Sequence, residues 1–172
     1  DIVVLAFGTN EGFDAKLDPV AYRDRYRSVI REIRAAVPGA RLVMIGPPEG
    51  ERPLPACRPV DGKPCESIPA ADLPAPAEGE NACPQRPAQL DKVREVQRGL
   101  AQAERIPFWD WWAIMPGGCG ASRWAAADPP LMAKDHVHFT KAGYRKAGEA
   151  FAAFIEPEVR AALRGEDAVS ND

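Results

Sequence analysis

Two apolar, β-rich runs, IVVLAF at residues 2–7 and RLVMIG at 41–46, flank one long stretch of helical periodicity. Within that stretch Tyr22, Tyr26, Val29, Ile30, Ile33 and Val37 recur at the spacing of a single helix face. Asp18-Pro19 supplies an N-cap and a proline at the first helical position, and Pro38-Gly39 stops the pattern. Both flanking runs are continuously apolar, as in strands covered on both faces. A strand, a helix and another such strand make a parallel unit with a right-handed crossover.

The pattern then repeats. Residues 88–105 predict a helix with Leu90, Val93, Val96, Leu100 and Ala103 on one face, and 106–109 a third short strand. Thr140 caps a helix running to Ala153, with Ala147, Phe151 and Phe154 inward, and Pro157 is expected to kink or restart it before a last turn near Leu163. The expectation is a three-layer α/β/α domain over residues 1–165 with a parallel sheet. Side chains that do chemistry in such sheets lie beyond the carboxyl ends of the strands, where Gly8-Thr9-Asn10 and the segment after Trp109 fall. Three strands make a thin sheet with an unpaired apolar edge. The chain is therefore expected to be the C-terminal part of a larger fold whose first strands are missing from it.

Residues 47–87 interrupt the alternation with 11 of the 18 prolines and three of the four cysteines, and with no sustained period. They read as a loop beside the site. Residues 166–172 read as a frayed polar tail. Cys57, Cys65, Cys83 and Cys119 match no zinc spacing. Four reduced surface thiols are one reading. Two disulfides are preferred, which places the protein in the periplasm or outside the cell. Of the three connectivities, Cys57–Cys65 with Cys83–Cys119 is the guess. Net charge is −3 with no basic tract, so a nucleic-acid partner is not indicated. No apolar run approaches the ~20 residues of a membrane span.

Both histidines of the chain stand in KDHVHFTKAGY at 134–144. His138 is the candidate base, with Asp135 to fix its tautomer, and His136 is a bystander or a substrate contact. Near the start, GTNE at 8–11 follows the first strand. Asn10 has an amide NH2 suited to stabilising an oxyanion. The bland alternatives are that Asn10 caps a turn in which Gly8 takes a positive φ, and that Asp135 and Thr140 merely cap a helix beside two exposed histidines.

The pair GTNE and DHVH, in this order and on these elements, resembles the SGNH or GDSL-type hydrolases. The GTNE form looks like the branch that includes bacterial peptidoglycan O-acetylesterases. The resemblance implies a flavodoxin-like α/β/α fold, an oxyanion-hole asparagine at Asn10, and His138 with Asp135 as base and orienting acid. It implies no cofactor and no metal. The family's serine and a second oxyanion glycine would lie upstream of Asp1; none of Ser28, Ser67, Ser122 and Ser170 stands in a Gly-Asp-Ser context. Candidate substrate contacts are Gly8, Thr9, Glu11, His136 and Trp111. Trp111 belongs to an aromatic group (Phe108, Trp109, Trp111, Trp112, Trp124) that reads either as a saccharide-lined cleft or as half-buried core.

The leading expectation is a serine-dependent ester hydrolase acting on a small ester or an O-acetylated glycan, its nucleophile on the missing N-terminal half of the fold. The alternative is a non-catalytic glycan-binding or scaffold relative. A metal-dependent hydrolase using Asp135, His136 and His138 is weaker, since three ligands from four consecutive residues do not easily close around one ion.

Overall fold

The structure, a computed structural model, describes residues 1–52, 86–115 and 118–165. Strands β1 (Ile2–Ala6), β2 (Arg41–Ile45) and β3 (Phe108–Trp109) form a parallel sheet in that order. Ile2 pairs with Arg41, Ala6 with Ile45, and Met44 with Phe108. Between them run the short helix α1 (Thr9–Gly12), α2 (Pro19–Ala36) and α3 (Ala88–Ala103); a 3-10 turn at Trp111–Ile114, α4 (Gly120–Ala125) and α5 (Lys141–Leu163) follow β3. The expected α/β/α layering with a parallel sheet is what the chain forms.

Strand alternation sorts the layers. Leu42 and Met44 join Leu5 in a core with Tyr26 and Ile30 of α2 and Leu100 and Ala101 of α3. Burying each of the larger of these side chains is worth ~1.5–3 kcal/mol. Arg41, on the opposite face of β2, pairs with Glu158 of α5 at 2.9 Å, and Trp109 packs edge-on against Phe151 of α5. A second core of Met115, Ala121, Trp124 and Met132 lies after β3, with Trp111 and Phe139 packed on it.

The helices start where the caps said. Asp18 accepts the N–H groups of Val20 and Ala21 at the head of α2, and Thr140 accepts that of Gly143 at the head of α5; such a cap is worth about 1 kcal/mol. Three expectations are corrected. β1 is not covered on both faces: it is a sheet edge, with Val4 39% and Phe7 51% exposed. β3 is shorter than residues 106–109, because Pro107 has no N–H to give the ladder and only its carbonyl is used, by Met44. The buried face of α3 includes Gln97 and not Ala103, since the turn at Phe7 needs an amide there. Pro157 lies inside α5, which runs on past it to Leu163; an exposed proline forfeits one hydrogen bond whose carbonyl solvent can satisfy.

Residues 53–85, 116–117 and 166–172 lie outside the described residues, and with them most of the expected loop, Cys57, Cys65, Cys83, Ser67 and the tail. Among the described residues, no helix is long and apolar enough to cross a membrane.

Candidate active site

The segment from Pro130 to Thr140 is folded back on itself ahead of α5. Met132 bridges Phe139 in antiparallel fashion, Ala133 N–H donates to the His138 carbonyl at 2.7 Å, and Thr140 N–H to that of Leu131 at 3.0 Å. Thr140 Oγ1 also donates to the Pro130 carbonyl at 2.6 Å. The first turn of α5 closes on this hairpin: a β-carbon on Gly143 would lie 1.9 Å from the Leu131 carbonyl oxygen. Gly143 therefore packs on the backbone of the hairpin.

At the tip, Asp135 Oδ1 accepts the N–H groups of Val137 and His138, both at 3.0 Å, and Oδ2 faces His138 Nδ1 at 2.7 Å. The turn thus brings acid and imidazole together. The amides of His138 and then Val137 hold the Asp135 carboxyl down at about 2, below its usual 3.8. With Nδ1 donating to the carboxylate, Nε2 is left as the proton acceptor. The pair is open to solvent, His138 at 76% side-chain exposure. It can take a proton from an alcohol brought to it.

Asn10 lies in α1, exposed, two residues past Gly8. Gly8 has φ 117°, and a β-carbon there would meet Gln97 Nε2 at 2.6 Å. Gln97 Nε2 donates to the Phe7 carbonyl and to the Tyr22 hydroxyl, both at 2.8 Å, pinning the turn out of β1. The Phe13 ring and the His136 carbonyl both border Gly50. A β-carbon on Gly50 would lie 2.9 Å from the Phe13 ring and 3.5 Å from the His136 carbonyl. Phe13 caps α1, and His136 stands two residues before His138.

Several residues at this end are not among the candidates read from the sequence. Glu49 and Glu51, spaced to face one way on the extended stretch after β2, are both buried. Glu49 accepts Gly120 N–H at 2.9 Å and pairs with Arg86 at 2.8 Å. Burial pushes its carboxyl up, against the pull of Arg86 and the Gly120 amide. Glu51 accepts Ser122 N–H at 3.0 Å and the Ser122 hydroxyl, and meets His136 Nδ1 at 3.1 Å. Burial alone would raise it, but the hydrogen bonds from His136 and Ser122 together leave it below its usual range, while His136 is raised by the same contact. An acid-x-acid step in a proline-rich stretch was the one legible hint.

The remaining candidates are placed as follows. Thr9 and Glu11 are half-buried in α1. Trp111 stacks on Phe139 with centroids 5.0 Å apart and planes at 13°. Cys119 is disulfide-bonded, and its partner lies outside the described residues. Among the described residues no cluster of three His, Cys, Asp or Glu is arranged to hold a metal ion. The ring nitrogens Nδ1 of His136 and His138 face Glu51 and Asp135 respectively.

A sequence model of the GDSL-like lipase/acylhydrolase family matches residues 1–146. The chain belongs to that family. Among solved structures it is similar to one described as "Peptidoglycan O-acetylesterase in action, 5 min", at 30% identity and a TM-score of 0.70 over 94% of this chain. It is also similar in fold to a lipase/acylhydrolase from Enterococcus faecalis, at 20% identity and a TM-score of 0.52, again over 94% of this chain. The chain spans 38% and 62% of the lengths of those two proteins. No curated protein matches it. The esterase family expected from GTNE and DHVH is thus the family found.

Proposed function

We propose that this GDSL-family chain supplies the base, its orienting acid and one oxyanion donor of a serine ester hydrolase, acting on O-acetyl groups of a saccharide such as cell-wall glycan. The observation that carries the reading is the exposed Asp135–His138 pair, oriented at 2.7 Å with the acid itself tied to two amides. In the reaction a serine hydroxyl attacks the acetyl carbonyl and His138 Nε2 takes its proton. Asp135 stabilises the imidazolium, and the Asn10 NH2 donates to the oxygen that gains the charge. His138 then returns the proton to the departing sugar oxygen, and a water hydrolyses the acetyl-serine by the same route. The proposed steps call for no cofactor.

The serine is proposed to come from a segment outside this chain, the N-terminal half of the fold. Of the two serines within the described residues, Ser28 donates to Glu32 on an exposed helix face and Ser122 is buried against Glu51. Among the described residues no strand pairs with the outer edge of β1, which supports the same view. The acetylated-glycan substrate is favoured by the 30% identity to a protein described as a peptidoglycan O-acetylesterase. A periplasmic or secreted location agrees with that substrate and with the disulfide at Cys119.

The test is the full-length gene product against p-nitrophenyl acetate and O-acetylated peptidoglycan. His138→Ala should abolish release of acetate. Asn10→Ala should lower kcat by about 10²–10³ with KM little changed. A fluorophosphonate should label one serine, mapped outside residues 1–172. Absence of labelling and of turnover in the wild-type protein would leave the non-catalytic glycan-binding reading.

A further inference from the structure

The hairpin that carries Asp135 and His138 is gripped at one further point, by a carboxylate the acyl-transfer steps do not use. Glu51 is 1% exposed. Its side chain holds Ser122 and the ring of His136, and its main-chain N–H donates to the His136 carbonyl at 3.1 Å. Glu51 therefore holds His136 by ring and by backbone at once. His136 has φ 56°, in the left-handed region that residues with a β-carbon rarely adopt.

This cluster does not make a second Ser–His–Glu triad. A catalytic imidazole meets its serine with one ring nitrogen and its acid with the other. Here the same Nδ1 faces Ser122 Oγ at 3.3 Å and Glu51 Oε2 at 3.1 Å, and the serine hydroxyl donates to the acid. Ser122 is also 7% exposed, out of reach of an ester. What the cluster does is tie three stretches together: the segment after β2, the head of α4, and the hairpin tip.

We propose that Glu51 is a positioning residue, clamping His136 in its left-handed turn so that Asp135 and His138 keep their register for proton transfer. The inference rests on the acyl-transfer reading above. His136 is the next residue after Asp135 and two before His138, so a change at its φ redirects the chain between acid and base. The charged groups around it are Glu51, from the segment after β2, and Asp135, from its own turn; Glu49 lies close enough to Glu51 to be felt by it.

The experiment measures kcat and KM for p-nitrophenyl acetate in the full-length protein carrying Glu51→Gln, His136→Asn, both together, and His138→Ala. Asparagine tolerates the left-handed backbone, so His136→Asn removes the clamped ring without penalising the turn. Each single variant, folded by circular dichroism at the assay temperature, should lose about tenfold in kcat with KM within about twofold. The double variant should be no worse than the poorer single one, because both changes break one contact. Should Glu51→Gln fail to fold, His136→Asn decides alone. Folded single variants with kcat within about twofold of wild type, or losses that multiply in the double variant, overturn the proposal while a dead His138→Ala keeps the parent reading intact. An active His138→Ala brings both down.

Discussion

Asp135 divides its oxygens between two tasks. Oδ1 takes the amides of Val137 and His138 and so shapes the turn, while Oδ2 is left for the imidazole. The first task explains why the carboxyl titrates at about 2 although the side chain is half-exposed, since solvent weakens the charge interaction but not the two local amides. A value below the usual 3.8 means that the turn's contribution to stability is present above about pH 4 and is lost as the pH falls through about 2. NMR titration of the Asp135 carboxyl carbon should accordingly show a midpoint near 2. A midpoint at 4 or higher would mean that the two amides do not engage it in solution. The pairing of Asp135 with His138 was readable because the turn that joins them is local, three residues long, and follows from aspartate's habit of bonding amides two and three positions on. His136 was read as a bystander or a substrate contact. Its ring meets Glu51, 85 positions away in the chain, and no local pattern announces such a partner.

At the scale of elements, the hairpin and α5 behave as one unit. Thr140 caps the helix and bonds back to Pro130, and Gly143 lets the first helical turn rest on the Leu131 carbonyl. Any β-carbon at position 143 must push the backbone apart, because the atom it meets cannot rotate away. Gly143→Ala is expected to destabilise the fold by about 1–3 kcal/mol or more, or ~2–4 °C in Tm for each kcal/mol in a chain of this size. Calorimetry checks this; an unchanged Tm would show that helix and hairpin are not packed as described. Trp111 belongs to the same unit. Stacked on Phe139, which follows His138 directly, it supports the hairpin from beneath. Trp124 is buried in the same core, and Trp111 packs half-buried against it.

Over the whole molecule, the sheet is covered unevenly. α2 and α3 close one face, α5 closes β2 and β3 on the other, and β1 keeps Val4, Ala6 and Phe7 exposed. The proposed N-terminal half would cover that edge and bring the serine. The isolated 172-residue chain is therefore expected to bind a hydrophobic dye, to associate at micromolar concentration, and to show no turnover of p-nitrophenyl acetate. The full-length protein is expected to be active and not to bind the dye. An isolated chain as active as the full-length protein would place the nucleophile inside residues 1–172. The alternation of strand and helix, the caps at Asp18 and Thr140, and the two motifs were determined by the sequence itself, because periodicity, capping and short turns are set by residues within a few positions of one another. The tertiary structure alone decided that β1 is an edge, that Gln97 pins the turn before Asn10, and that Glu49 and Glu51 turn inward to hold α4 and His136. The last two depend on a buried polar group finding its partner across tens of residues, and only the packed chain brings the two together.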